Sequence, residues 1–361
     1  MTPDEPATTV ERWIERSADI QARLAAQPRS FRMLTGDRPT GNLHIGHYFG
    51  SLLNRLRLQN LGVDTWVLIA DYQVITDRDG VGPIQERVYS LLADYLALGL
   101  DPAKTVIFTH SAIPALNQLI LPFLSLVTEP ELKRNPTVKT ELEDAAGRPM
   151  SGLMLTYPVH QAADILFCKA NVVPVGKDQL PHIEVTRLIA RRFDERYGRA
   201  DPSQPVFPLA DALLSGAGGS NILGMDGTKM AKSKGNVIEL GMTADETARV
   251  LRKAVTDADR HISFDPVARP GVSNLLTIAG LSLGRDPAEL AEEIGDGGAG
   301  QLKRVTTDAL NDRLAEHRRR RAQYADDPGY LRSVLAEGNA KALAQAEVTL
   351  AEVRRAMRMD Y

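Results

Sequence analysis

Residues 65–70, Thr-Trp-Val-Leu-Ile-Ala, form a continuous apolar run. A strand with one face in water alternates apolar and polar residues, so an unbroken run belongs to a strand covered on both faces, as in a parallel sheet. The runs at 105–109, 31–34 and 171–175 read the same way, with Pro174 marking the end of the last one. Between them lie helical stretches. Residues 83–98 carry Val88, Leu91, Leu92, Tyr95 and Leu96 at helical spacing. This alternation, from 31 to about 236, predicts an α/β fold with a doubly wound parallel (Rossmann-like) sheet. Ligands of such sheets sit outside the carboxyl ends of the strands, where His44 and Asp178 both fall.

From about 238 the strand-like runs stop. Residues 243–254 read as a helix with Thr243 and Glu246 as a capping box. Shorter helices are expected at 271–279 and 286–294. A loop with Gly295, Gly297, Gly298 and Gly300 precedes a long helix striped by Leu302, Val305, Ala309, Leu310 and Leu314 and ending in four arginines, 318–321. A last helix is expected from about Asn339, with Leu343, Leu350, Val353 and Met357 inward. At the other end, Val10, Trp13, Ile14, Ser17, Ile20 and Leu24 predict an amphipathic helix to about residue 26, packed on the main body or on a partner subunit. The expected organisation is therefore an N-terminal extension (1–30), an α/β domain (31–237) and an α-helical C-terminal domain (238–361).

With 361 residues the chain can build two domains. A net charge of -3 excludes a globally basic nucleic-acid binder but leaves room for a local basic face. The single cysteine, Cys168, rules out a disulfide framework and a cysteine cluster for zinc or iron–sulfur. It reads as a small buried hydrophobe and fits a reducing, cytoplasmic setting. Neither a signal peptide nor a membrane span is expected.

Residues 35–50 read Thr-Gly-Asp-Arg-Pro-Thr-Gly-Asn-Leu-His-Ile-Gly-His-Tyr-Phe-Gly. They join a strand to the start of a helix, and their glycines allow close backbone approach to a bulky polar ligand. A strand, a glycine-rich turn and a helix N-terminus make an anion site. His44 and His47 are three apart, on one side of the first helical turn, and imidazoles there can donate to phosphate oxygens. A second stretch, 224–236, places Lys229, Lys232 and Lys234 in a glycine-rich loop, with point charges suited to a polyphosphate.

His44-Ile-Gly-His47 and Lys229-Met-Ala-Lys-Ser233 lie in that order, about 180 residues apart. The pair resembles the HIGH and KMSKS motifs of class I aminoacyl-tRNA synthetases. The stretches from Tyr157 to Asp164, Val173 to Gln179 and His182 to Arg187 narrow the resemblance to the tryptophanyl-tRNA synthetase family, over residues 31 to 361. Val255-Thr-Asp257 and Gly271-Val-Ser-Asn274 extend it through the helical part.

The resemblance implies an enzyme: a tryptophan–tRNA ligase that joins tryptophan to ATP as an adenylate, releases pyrophosphate, then transfers tryptophan to its tRNA. It implies that Asp164 faces the indole N–H, Val173 and Val175 wall the ring, and Tyr157 and Gln179 take the ammonium end. An acceptor facing that N–H discriminates against phenylalanine. His44, His47, Lys139, Lys229 and Lys232 would be catalytic. ATP would meet Arg38, Pro39, Thr40, Gly46, His47, Gly176, Lys177, Asp178, Ile222, Met230, Ala231 and Ser233 as well as the loop lysines. Mg²⁺ would bridge the phosphates rather than occupy a protein cage. The helical domain would bind the tRNA anticodon region, with Arg318, Arg319 and Arg321, helped by Arg354, Arg355 and Arg358, as the basic face. One tRNA would span a homodimer.

Some residues depart from the family pattern. Gln161 stands where bacterial members have methionine and could bond the indole nitrogen alongside Asp164. Arg38-Pro39-Thr40 replaces Gln-Pro-Ser, His47 replaces a common asparagine, and Ala231 replaces a serine. These mark a divergent bacterial branch. The competing readings are a tyrosyl-tRNA synthetase, a nucleotidyltransferase that adenylates a small acid without RNA, and a non-catalytic RNA-binding paralogue. The helical C-terminal region argues against the second, and the intact histidines and lysines against the third.

Overall fold

The computed structural model describes residues 9–76, 82–136, 138–139, 150–198, 205–214, 222–231 and 234–361. Strands β1 (Arg32–Asp37), β2 (Asp64–Ile69), β3 (Thr105–Thr109), β4 (Val172–Val175) and β5 (Asp211–Leu214) form one parallel sheet. Their order is β3-β2-β1-β4-β5. Arg32 pairs with Asp64, Met33 with Val172, Thr65 with Thr105 and Val172 with Asp211. The chain steps outward from β1 to β3, then returns to the far side of β1 as β4. That reversal opens a crevice between the carboxyl ends of β1 and β4.

The unbroken apolar run of β2 is explained by its two neighbours. Trp66 and Leu68 point into one core with Phe108, Phe167 and Val353. Val67 and Ile69 point into another with Leu92, Leu96 and Leu310. Helices α1 (Thr9–Ala26), α2 (Ile45–His47), α3 (Leu53–Leu61) and α4 (Ile84–Leu98) belong to the first half. Among the described residues three short helices follow, α5 (Pro114–Gln118), α6 (Ile120–Leu124) and α7 (Glu129–Lys133), then α8 (Gly152–Phe167) and α9 (Leu180–Tyr197). Beyond β5 the described elements are helices: α10 (Ala244–Arg252), α11 (Pro270–Leu283), α12 (Pro287–Ile294), α13 (Gly298–Ala325) and α14 (Pro328–Ala356). The Thr243–Glu246 capping box opens α10.

α1 packs on the main body of its own chain. Trp13 Nε1 donates to Glu184 at 2.8 Å, Arg16 pairs with Asp211 at 2.6 Å, and Ser17 Oγ accepts the Leu214 N–H at 2.9 Å. Trp13, Ser17, Ile20 and Leu24 are buried, whereas Val10 and Ile14 face outward. The apolar stripe is thus narrower than its sequence suggests.

The C-terminal helices differ from expectation in two places. α13 begins at Gly298, so Gly298 and Gly300 lie inside it, and it runs four residues past the arginines to Ala325. α14 begins at Pro328, eleven residues before Asn339. Its start signal is sound: Asp327 accepts the Tyr330 N–H at 2.9 Å and Pro328 sits in the first turn. Gly338 reads as a breaker in sequence. In the fold it lets α14 lie directly on β3, since a Cβ there would run into the Ile107 carbonyl. Asn339 accepts the Thr109 N–H at 3.0 Å, and Thr349 donates to the Phe167 carbonyl at 2.6 Å. The last helix therefore belongs to the same core as the sheet.

Candidate active site

β1 delivers the chain into the glycine- and histidine-rich turn, and a buried ion pair fixes its end. Asp37 receives Arg55 Nη1 and Tyr95 Oη, each at 2.5 Å. Burial alone would push the Asp37 carboxyl up. Arg55, with His47 and Tyr95, overrides it and holds Asp37 at about 2. The chain then reverses at Gly41, whose φ of 148° suits glycine.

His44 is the N-cap of α2. Its Nδ1 accepts the Gly46 N–H at 3.2 Å, and His47 Nδ1 accepts the His44 N–H at 3.2 Å. Two imidazoles thus close a capping box, a task usually given to serine and glutamate. Their ring centroids lie 3.8 Å apart. With both Nδ1 atoms accepting, Nε2 carries the proton in each neutral ring and is the donor for an incoming ligand.

The second motif sits beside the first. Ile45 N–H donates to Ile238 O at 3.0 Å and Leu240 N–H to Leu43 O at 2.9 Å, so the far leg of the loop is bonded to the turn. A Cβ on Gly46 would lie 3.3 Å from Met230 Sδ, which explains a small residue there. Asn236 organises the loop. It donates to Asp226 at 2.8 Å and accepts the Ala231 N–H at 2.9 Å. Asn274 of α11 brackets Leu223 with bonds of 2.8 and 3.1 Å. Lys229 is exposed, and with Ile222 it lines a second cleft of about 870 Å³ against α11. Lys232 and Ser233 lie outside the described residues.

The main cleft, about 610 Å³, occupies the crevice between β1 and β4. Tyr157, Gln161 and Asp164 project into it from one face of α8, spaced by four and three residues. Val173 and Val175 enter from β4, and Gly176, Asp178 and Gln179 from the turn after it. Arg38 and His47 line it from the other side. Gln161 Nε2 reaches Gln179 Oε1 at 3.5 Å, and Gln179 donates to Asp178 at 2.8 Å. Asp164 is only 2% exposed. All six residues expected around tryptophan thus line one cavity.

Other expected residues lie elsewhere. His44, Pro39, Thr40 and Gly46 belong to the turn but do not line the cleft, and Lys177 is exposed at its rim. Lys139 is exposed too. Its N–H bonds Asn135 O at 2.9 Å, one turn from the Asn135 side chain that meets His182 in the cleft wall. Arg321 turns into the protein: it donates to Asp94 at 2.7 Å and to Ser90 at 2.8 Å. Arg318 donates to Asn311 and Thr247, both at 2.8 Å, and only Arg319 stands in solvent, paired with Glu316. The expectation of three arginines on one basic face is corrected accordingly. Four consecutive helical positions point round the helix axis, and two of these three meet α4 and α10.

Several residues to which the sequence assigns no role shape the cleft. His110, at the carboxyl end of β3, bonds Asp164 at 2.8 Å. His182 backs Tyr157 at 3.2 Å, and burial lowers it to about 4. Asp37 and Arg55 line the cleft as an ion pair. His110 could have been found from its place just past a parallel strand; the Asp37–Arg55 pairing has no local signal. Burial pushes the Cys168 thiol up to about 12, as befits an inert packing residue.

The profile of the tRNA synthetases class I (W and Y) matches residues 26–315. The tryptophan–tRNA ligase of Streptococcus agalactiae serotype V is 41% identical over 344 residues, covering 91% of this chain and 98% of that protein. Its counterpart from Streptococcus pyogenes serotype M1 is 40% identical over 340 residues, with the same coverage of 91% and 98%. Among solved structures, tryptophanyl-tRNA synthetase from Campylobacter jejuni, complexed with ADP and tryptophan, superposes with a TM-score of 0.77. It is 27% identical and covers 91% of this chain and 99% of its own. A tyrosyl-tRNA synthetase from Archaeoglobus fulgidus shares the fold, with a TM-score of 0.63 at 23% identity over 86% of this chain and 94% of its own. With its two motifs bonded together beside a cleft at the β1–β4 crevice, the chain belongs to the class I tRNA synthetases of the W and Y group.

Proposed function

We infer that this chain is a tryptophan–tRNA ligase: it activates L-tryptophan with ATP and charges the tryptophan tRNA. The observation that carries this reading is Asp164, a buried carboxylate lining the cleft between walls from β4 and α8. The indole N–H is a donor only, and a carboxylate is the acceptor that answers it. Gln161 can add a second polar contact, while Val173 and Val175 flank the ring. Tyr157 and Gln179 take the ammonium end. The tryptophan carboxylate then faces the mouth, near Arg38 and His47.

ATP lies along the turn, with Gly176 and Asp178 on one side and His44 and His47 on the other. The tryptophan carboxylate attacks the α-phosphate and pyrophosphate leaves. No side-chain nucleophile is needed, so catalysis is positioning and neutralisation of developing charge. Lys229, Lys232 and Lys139 meet the outer phosphates. Mg²⁺ prefers oxygen ligands. The His110–His160–Asp164 group, with two nitrogen donors, does not suit it; Asp178, exposed at the cleft rim, has the right chemistry. Bound with ATP, the ion would screen phosphate charge.

The organisation we propose follows: residues 31–237 catalyse, 238–361 read the anticodon region, and one tRNA spans a cytoplasmic homodimer. Among the described residues no helix is long and apolar enough to cross a membrane. Arg319, with Arg354, Arg355 and Arg358 near the end of the chain, remains for phosphate contacts. The test is ATP–pyrophosphate exchange with a panel of amino acids, followed by tRNA charging. Tryptophan alone should support both, and preference for tyrosine would overturn the reading.

A further inference from the structure

Three ionisable side chains meet behind the cleft. His110 follows β3, while His160 and Asp164 are one turn apart on α8, and they are 0%, 4% and 2% exposed. His110 Nε2 lies 2.8 Å from Asp164 Oδ1, and His160 Nε2 lies 3.9 Å from the same oxygen. The two imidazole centroids are 4.5 Å apart. A carboxylate only accepts, so the proton of the short bond sits on His110 Nε2. His110 Nδ1 and His160 Nε2 have no hydrogen-bond partner among the described residues. Burying such groups costs stability, and apolar side chains would fill the same space without that cost. Their presence calls for a reason outside folding.

That reason lies on the cleft side of Asp164. Among the described residues only Oδ1 is engaged by a protein donor, and the residue lines the cavity. We propose that His110 is a positioning residue for amino-acid choice: by holding Oδ1 it fixes Asp164 with Oδ2 as a single oriented acceptor for a ring N–H. His160 lies against His110, with its ring tilted by 31°. Burial lowers its pKa, which favours the neutral form beside the carboxylate. This inference rests on the tryptophan reading above and names the part of the site that would enforce it.

The test compares tryptophan with benzothienylalanine, in which sulfur replaces the indole N–H, in ATP–pyrophosphate exchange. His110→Phe keeps an aromatic ring and loses the donor; His110→Asn keeps a donor. The wild-type protein should prefer tryptophan strongly. In His110→Phe, the tryptophan KM should rise roughly 10- to 100-fold, the range of one hydrogen bond to a charged group. Its kcat and the benzothienylalanine KM should hardly move, so the preference collapses. His110→Asn should restore most of it. Equal KM increases for both substrates, or an unchanged ratio, would overturn the proposal. So would a stoichiometric transition metal in the purified protein that is lost in His110→Phe, since the triad would then be a metal site. Should His110→Phe not fold, His110→Ala carries the same comparison. A wild-type protein that does not use tryptophan would sink the functional reading instead.

Discussion

Arg321→Ala separates two roles that an arginine run can have. In the wild-type protein Arg321 spans from α13 to α4, meeting Asp94 at 2.7 Å and Ser90 at 2.8 Å. The Asp94 side chain is 2% exposed, and its other partner is His317 at 3.2 Å. Removing the guanidinium leaves a buried carboxylate with one neighbour. Breaking a buried pair from one side costs about 3–5 kcal/mol, and the partial access of water to Arg321 brings this to roughly 2–3 kcal/mol. For a chain of this size that is a fall in Tm of roughly 3–4 °C. Pyrophosphate exchange and tRNA charging should then decline together on warming, because α4 and α13 loosen as a unit. Arg319→Ala provides the control. Its pair with Glu316 is exposed on both sides, so Tm should not move. Thermal unfolding, exchange and charging are measured on both variants. If Arg321→Ala keeps its Tm and loses charging alone, Arg321 meets RNA and the buried ion pair is not its role.

Asn236→Ala removes the side chain that ties Asp226 to Ala231, so adenylate formation should slow by roughly 10-fold or more while tryptophan affinity holds, by stopped-flow and equilibrium binding. Lys232→Ala should slow the same step by roughly 10²-fold, and a near-normal single-turnover rate would remove Lys232 from the phosphate site. Burial lowers His182 to about 4, below the ordinary ~6.5, so the unfolded chain takes up this proton first. Its contribution to stability is therefore full above about pH 6.5 and falls by up to ~1.4 kcal/mol per pH unit towards about pH 4, and His182→Gln should flatten that slope in denaturant titrations. Gly338→Ala should push α14 off β3 and cost about 1–3 kcal/mol, seen as a lower denaturation midpoint; an unchanged midpoint would mean the helix can slide.

Sheet and cleft differ in how far their sequence announces them. Val67 and Trp66 point to opposite cores, and only a doubly covered strand tolerates apolar residues at both, so β2 and the fold class are legible in six letters. β5 is not. It has four residues, and its pairing is supplied by β4 and its cover by α1. Tyr157, Gln161 and Asp164 were legible through the family resemblance, and α8 sets them on one face. What surrounds Asp164 was not, since His110 comes from a strand 54 positions away and only tertiary folding pairs them. The start of α14 was hidden by Gly338, whose reason for being glycine is a carbonyl on another element. The arginines misled for a simple geometric cause: adjacency in sequence is dispersion around a helix.

The cover that α1 lays over β5 has a further consequence. A sheet edge is a row of open amide groups, and any passing extended segment can add to it as a sixth strand. Here the Leu214 N–H is already taken by Ser17, and Arg16 neutralises Asp211 at the start of the same strand. The family profile begins at residue 26, where α1 ends, so this guard is an appendage to the common catalytic frame. A protein trimmed of α1 should retain its cleft yet gather into oligomers through β5, and the free α1 peptide, added back, should disperse them.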